Sequence, residues 1–127
     1  MDRAGVRYIV DDVEAAVGFY SERLGFAVEA QPGPGFAILS RGALRLQLSA
    51  PRGPGGAAQP MPDGRVPEPG GWNRIQVEVE DLEAAVAELR EAGASFRNDI
   101  VTGRGGKQIL LDDPAGNPIE LFEPSRD

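Results

Sequence analysis

The segment Val10–Val17 reads V-D-D-V-E-A-A-V, and sixty-nine positions on Val79–Val86 reads V-E-D-L-E-A-A-V, identical at six of eight places. A 127-residue chain with this repeat is expected to use one structural unit twice. Each half would hold about 55 residues, marginal alone, so the halves are expected to pack or pair. The pattern around each copy agrees. Val6–Val10 is a β-rich run, and Asp12 then caps a helix whose Val13, Ala16, Val17, Tyr20 and Leu24 recur at helical spacing until Gly25 ends it. Strands over about residues 26–30, 36–40 and 43–49 follow, separated by Pro32, Gly33, Pro34, Gly35 and Gly42. The second half predicts a strand at Arg74–Glu80 and a helix from Leu82 to about Ala92, capped by Asp81 and stopped by Gly93. Strands near residues 96–101, 108–111 and 119–122 complete it. The expectation is one α+β domain of two βαβββ modules, about residues 4–50 and 73–124.

The connecting segment 51–72 contains six Gly and six Pro in 22 residues, a composition that suits neither a helix nor a central strand. A loop of that length either spaces the halves or covers a ligand site as a flap, with Met61 and Trp72 as contacts. Trp72 has a second reading, as a filler of the core beside a hinge.

Charge and composition narrow the function. Thirteen Lys and Arg against twenty Asp and Glu give a net charge of −7, which argues against nucleic acid or an anionic membrane as partner. The absence of Cys removes disulfides, thiolate ligands and a Cys nucleophile, and the absence of His removes a Ser-His-Asp arrangement in cis. No stretch has the length of a signal peptide's apolar core or a membrane span, so a cytoplasmic protein is expected. Gly103–Lys107 lacks the spacing and following helix of a phosphate-binding loop and reads as a glycine-rich hairpin turn.

Strand alternation locates the polar surface. Leu44, Leu46 and Leu48 point one way and Arg45, Gln47 and Ser49 the other; Ile75, Val77 and Val79 oppose Arg74, Gln76, Glu78 and Glu80. The apolar faces can take the helices, leaving the polar faces to water or to a cleft.

The V-x-D-[VL]-E-A-A segments, Phe19-Tyr20, L-G-F at Leu24–Phe26, and L-L-D-D-P-A-G-N-P-I-E-L-F-E-P at Leu110–Pro124 resemble the glyoxalase/bleomycin resistance/dioxygenase superfamily, also called vicinal oxygen chelate. The resemblance covers nearly the whole chain outside the central loop. It implies a curved eight-stranded mixed sheet around a cleft, helices on its outer face, and a homodimer. It also implies a small-molecule partner. Members range from metal-dependent lyases, isomerases and dioxygenases to proteins that sequester a drug.

Metal-using relatives place ligands on the first and fourth strands of each half, and the corresponding positions here are Gly5, Gln47, Arg74 and Glu120. The internal repeat pairs position 5 with position 74 on its own account. Gly5 offers no donor, Gln47 is a weak one, Arg74 is a cation, and Glu120 alone is a good hard ligand. A unit charge ~4 Å from a dication at an effective dielectric of ~20 gives roughly 8 kcal/mol of repulsion before screening. With Arg74 and Glu120 on neighbouring strands, as the resemblance implies, their pairing in a two-pronged contact is the simpler expectation.

The reading is a metal-independent binder of an aromatic drug or metabolite, with no cofactor expected. Its ligand contacts would be Arg7, Arg45, Gln47, Trp72, Arg74, Gln76, Glu120 and Phe122, in a groove between the halves. The acidic chain suits a cationic ligand, whereas the arginines suit an anionic one, and the sequence leaves both open. The alternative is an enzyme, either binding a divalent metal through Glu120 and Gln47 or using Glu120 as base, alone or paired with Glu78, and Arg74 as oxyanion stabiliser.

Overall fold

The computed structural model describes residues 4–53 and 55–126. The chain divides into two compact units, one formed by the described residues of Met1–Gly70 together with Pro114–Asn117, the other by Gly71–Asp113 with the described residues of Pro118–Asp127.

In the first unit β1 (Gly5–Ile9) leads into α1 (Val13–Leu24), followed by β2 (Ala27–Gly33), β3 (Phe36–Arg41) and β4 (Leu44–Ser49). Asp12 caps α1 by accepting from the Ala15 amide, and Gly25 closes it at φ 72°, a left-handed conformation open to glycine at little cost. The sheet runs β1-β4-β3-β2, with β1 parallel to β4 and the other pairs antiparallel. Leu39, Leu46, Leu48 and Ala37 bury one face against Val13, Ala16, Tyr20 and Leu24 of α1, and Tyr20 meets Phe19 and Phe26 edge-on. Strand β2 runs through Pro32 to Gly33, further than the sequence suggested. It can do so because it is the sheet's outer strand and its register with β3 is irregular, where a missing N–H is tolerated.

The second unit repeats the plan with β5 (Ile75–Glu78), α2 (Leu82–Glu91), β6 (Ser95–Phe96), β7 (Val101–Thr102), β8 (Gly106–Asp112) and β9 (Pro118–Pro124). Its order is β5-β9-β8-β6, with β7 also on β8 and β5 parallel to β9. The helix is capped by Asp81, and Leu82, Val86 and Leu89 are buried on its inner side.

Nine strands are therefore present among the described residues, in sheets of four and five, where eight were expected. The single strand expected near residues 96–101 is split. Asn98 places its side-chain oxygen where a ladder carbonyl would sit and accepts from the Leu110 amide at 2.9 Å, so the backbone leaves the ladder between β6 and β7. The fold class is α+β, as expected. No helix among the described residues is long and apolar enough to cross a membrane.

Candidate functional site

The parallel pairing of the first and last strand in each unit sets both polar clusters. Arg7 stands opposite Gln47 across β1 and β4, and Gln76 stands opposite Glu120 across β5 and β9. Arg7 and Gln76 are sixty-nine residues apart, and Gln47 and Glu120 seventy-three, so the repeat puts these four residues at equivalent register positions. In each unit the first-strand side chain donates to the last-strand side chain. Arg7 Nη2 donates to Gln47 Oε1 at 3.0 Å, and Gln76 Nε2 donates to Glu120 Oε2 at 2.7 Å.

Glu120 is the more enclosed of the two acceptors, its side chain 9% exposed, and both its oxygens are engaged. Arg74 Nε and Nη2 donate at 3.1 and 3.0 Å to Oε1, while Gln76 takes Oε2. Arg74 thus forks onto a single oxygen rather than spanning both, because Gln76 already holds the second. Nη1 of Arg74 also reaches the Trp72 carbonyl at 3.4 Å.

In the first unit, Arg7 Nη1 donates to Ser49 Oγ at 2.9 Å, and its guanidinium stands 6.0 Å from the centre of the Phe36 ring. A cleft of about 750 Å³ opens beside it. Its walls are Arg7 from β1, Pro32 and Pro34 at the end of β2, Phe36 from β3, and Gly55–Ala57 from the central loop. Arg7 contributes the only charged side chain among the described lining residues. Ala58 is buried, and Gln59 Nε2 donates to the Gly53 and Gly55 carbonyls at 2.8 and 3.0 Å, which folds this stretch of loop on itself.

Of the residues picked out by sequence, Arg7 and Gln47 come together in the first unit, and Arg45 lies opposite Gly5 in register, two residues along from Gln47. Arg74, Gln76 and Glu120 come together in the second. Phe122 pairs in register with Glu78, two residues along from the Gln76–Glu120 pair. Trp72 is 70% exposed, with Arg97 stacked 4.7 Å from its ring centre, so it fills no core gap. Arg97 is in turn fixed by Asp112 at 2.6 Å and the Gly71 carbonyl at 2.8 Å. Met61 is exposed and does not line the cleft. The cleft residues Pro32, Pro34, Phe36 and Gly55–Ala57 were read in the sequence only as punctuation, strand or spacer. The one available signal was an aromatic directly after a Pro/Gly-rich turn.

The four positions at which the resemblance implies metal ligands fit a dication poorly. A Cβ on Gly5 would sit 3.1 Å from the Arg45 carbonyl and 3.6 Å from Gln47 Nε2, so a larger side chain there meets backbone. The oxygen of Gln47 is held by Arg7, and Glu120 by a cation at 3.0 Å. Among the described residues no group of three or more His, Cys, Asp or Glu is placed to hold a metal ion.

Residues 4–121 match the Glyoxalase/Bleomycin resistance protein/Dioxygenase superfamily, and the chain belongs to that family. Among solved structures it is similar to a member of this superfamily from Sphaerobacter thermophilus DSM 20745, with a TM-score of 0.74, 27% identity and 97% of each chain covered. It is also similar to TnmS3, an antibiotic binding protein from Streptomyces sp. CB03234, with a TM-score of 0.73, 27% identity, and 98% and 97% of the two chains covered. A protein of Mycolicibacterium smegmatis is 25% identical over 114 residues, 90% of this chain and 86% of that one.

Proposed function

We propose that this protein binds a planar, largely apolar small molecule in the cleft of its first unit, without a metal ion. The cleft itself carries the reading: about 750 Å³ walled by Phe36, two prolines and loop backbone, with a single polar anchor in Arg7. That combination of apolar walls and few convergent polar groups is what small-molecule sites generally present. The likeness to an antibiotic binding protein supports the finer form of the proposal, in which the ligand is an aromatic antibiotic or related metabolite held out of circulation.

Metal independence is supported by the donor set. A dication at Glu120 would have to displace Arg74 and Gln76 together. A homodimer is part of the proposal, carried from the family; light scattering on the eluted protein tests it.

The site is tested by thermal unfolding in chelator across a panel of naphthalene, anthraquinone and small keto-acid compounds. A binder raises the melting temperature in step with its occupancy. The expected result is stabilisation by polycyclic aromatics and none by keto acids. Stabilisation by keto acids alone, seen when the chelator is replaced by Mn, Ni, Fe or Zn and lost in Glu120→Ala, would instead support the metal-dependent reading.

A further inference from the structure

The two units share a register, yet their cations face different partners. Arg74 lies 3.0 Å from a nearly buried carboxylate, so its charge is answered within the protein. Among the described residues Arg7 is held by neutral oxygens, those of Ser49 and Gln47, and takes part in none of the ion pairs. It is exposed, and it borders the cleft. Two of its five N–H groups are committed to these bonds, which fix the plane of the guanidinium, and its positive charge stands at the cleft wall. In a chain of net charge −7 an uncompensated cation in an apolar recess runs against the overall balance of charge.

From this we infer that the cleft selects planar aromatic anions. The carboxylate or phenolate oxygen accepts from Arg7, while the ring lies against Phe36 and the Pro32–Pro34 wall. The inference rests on the reading of this cleft as the ligand site and adds the sign of the ligand's charge and the residue that reads it. Ser49 is a positioning residue here. Nearly buried, it holds Nη1 so that the guanidinium keeps its orientation toward the cleft.

Three ligands of one shape separate the possibilities: naphthoate, naphthamide and naphthylmethylammonium, titrated calorimetrically into the whole chain at low salt. The expected order puts naphthoate first by roughly tenfold, the lower range for a hydrogen bond to a charged group at a solvent-exposed site. Added salt narrows that margin. Arg7→Gln removes the preference, and Ser49→Ala reduces it while leaving the affinity for naphthamide unchanged. Equal binding of amide and acid, tighter binding of the ammonium, or a preference that survives Arg7→Gln overturns the inference and leaves the ligand site standing. Failure of all three to bind overturns both.

Discussion

Glu120 accepts three hydrogen bonds from two neighbours, and this fixes what it can do. Arg74→Ala takes away both donors to Oε1. Arg74 is 30% exposed, so water replaces part of the loss, and the expected destabilisation is about 1–2 kcal/mol rather than the larger cost of breaking a fully buried pair. Urea unfolding of the variant measures it, and an unchanged midpoint would show the pair to be ornamental. The pairing was expected from the family resemblance, which implies that Arg74 and Glu120 lie on neighbouring strands, and strand alternation put Arg74 and Gln76 on one face. The fork onto a single oxygen was not, since alternation gives a face and not a rotamer. For the same reason the sequence grouped three arginines as one set. Arg74 is neutralised by a carboxylate, Arg7 is held by neutral partners, and Arg45 stands beside Gly5.

Elements follow their local chemistry closely where caps and turns decide them. Asp81 accepts from Ala84, and Glu123 from β9 accepts the Leu82 amide at 2.8 Å, so two carboxylates satisfy the first turn of α2. Asp81→Ala is expected to lower stability by about 1 kcal/mol, read from chemical denaturation. At Gly106, with φ 149°, an added Cβ would collide with the Glu123 carbonyl oxygen, far inside van der Waals contact. Gly106→Ala is therefore expected to cost on the order of 3 kcal/mol, seen as a large fall in melting temperature. Lys107, next along β8, donates to Glu83 at 3.0 Å. That bond, with the nearby charges of Glu123, Glu83 and Asp81, raises its pKa above the ordinary 10.5. The stabilisation is fully present below that ordinary value and is lost as pH rises through the raised one. Lys107→Met should thus lower the melting temperature at neutral pH and make no difference above the lysine range. Helix boundaries were legible to within a residue because Asp12, Gly25, Asp81 and Gly93 mark them. The break between β6 and β7 was not, because it depends on Asn98 reaching a strand twelve residues away.

Across the whole molecule, the repeat in the sequence and the repeat in the fold coincide, with β1–β4 and β5–β9 paired in the same parallel sense. The division into units is less simple than the sequence suggested. Pro114–Asn117, from the second repeat, belongs to the first unit. There Asn117 donates to the Ile9 carbonyl at 2.7 Å and accepts from the Gly70 amide at 2.8 Å. Sequence spacing does not reveal a contact over 108 residues, so the D-P-A-G-N-P run, quoted for its family resemblance, gave no sign of this one. Asn117→Ala strands two backbone groups and is expected to cost about 1–3 kcal/mol in equilibrium unfolding. The cleft was the least legible feature, because its walls are prolines, glycines and one phenylalanine whose meaning lies in how β1, β3 and the central loop converge. The central proposal is that this cleft binds its ligand without a metal, the Glu120 carboxylate being already engaged by Arg74 and Gln76. Calorimetric titration of naphthoate into protein stripped with chelator, repeated after adding Mn or Ni, tests that directly. The expected result is one-to-one binding with the same affinity in both conditions; binding that appears only with the metal, and disappears in Glu120→Ala, would contradict it.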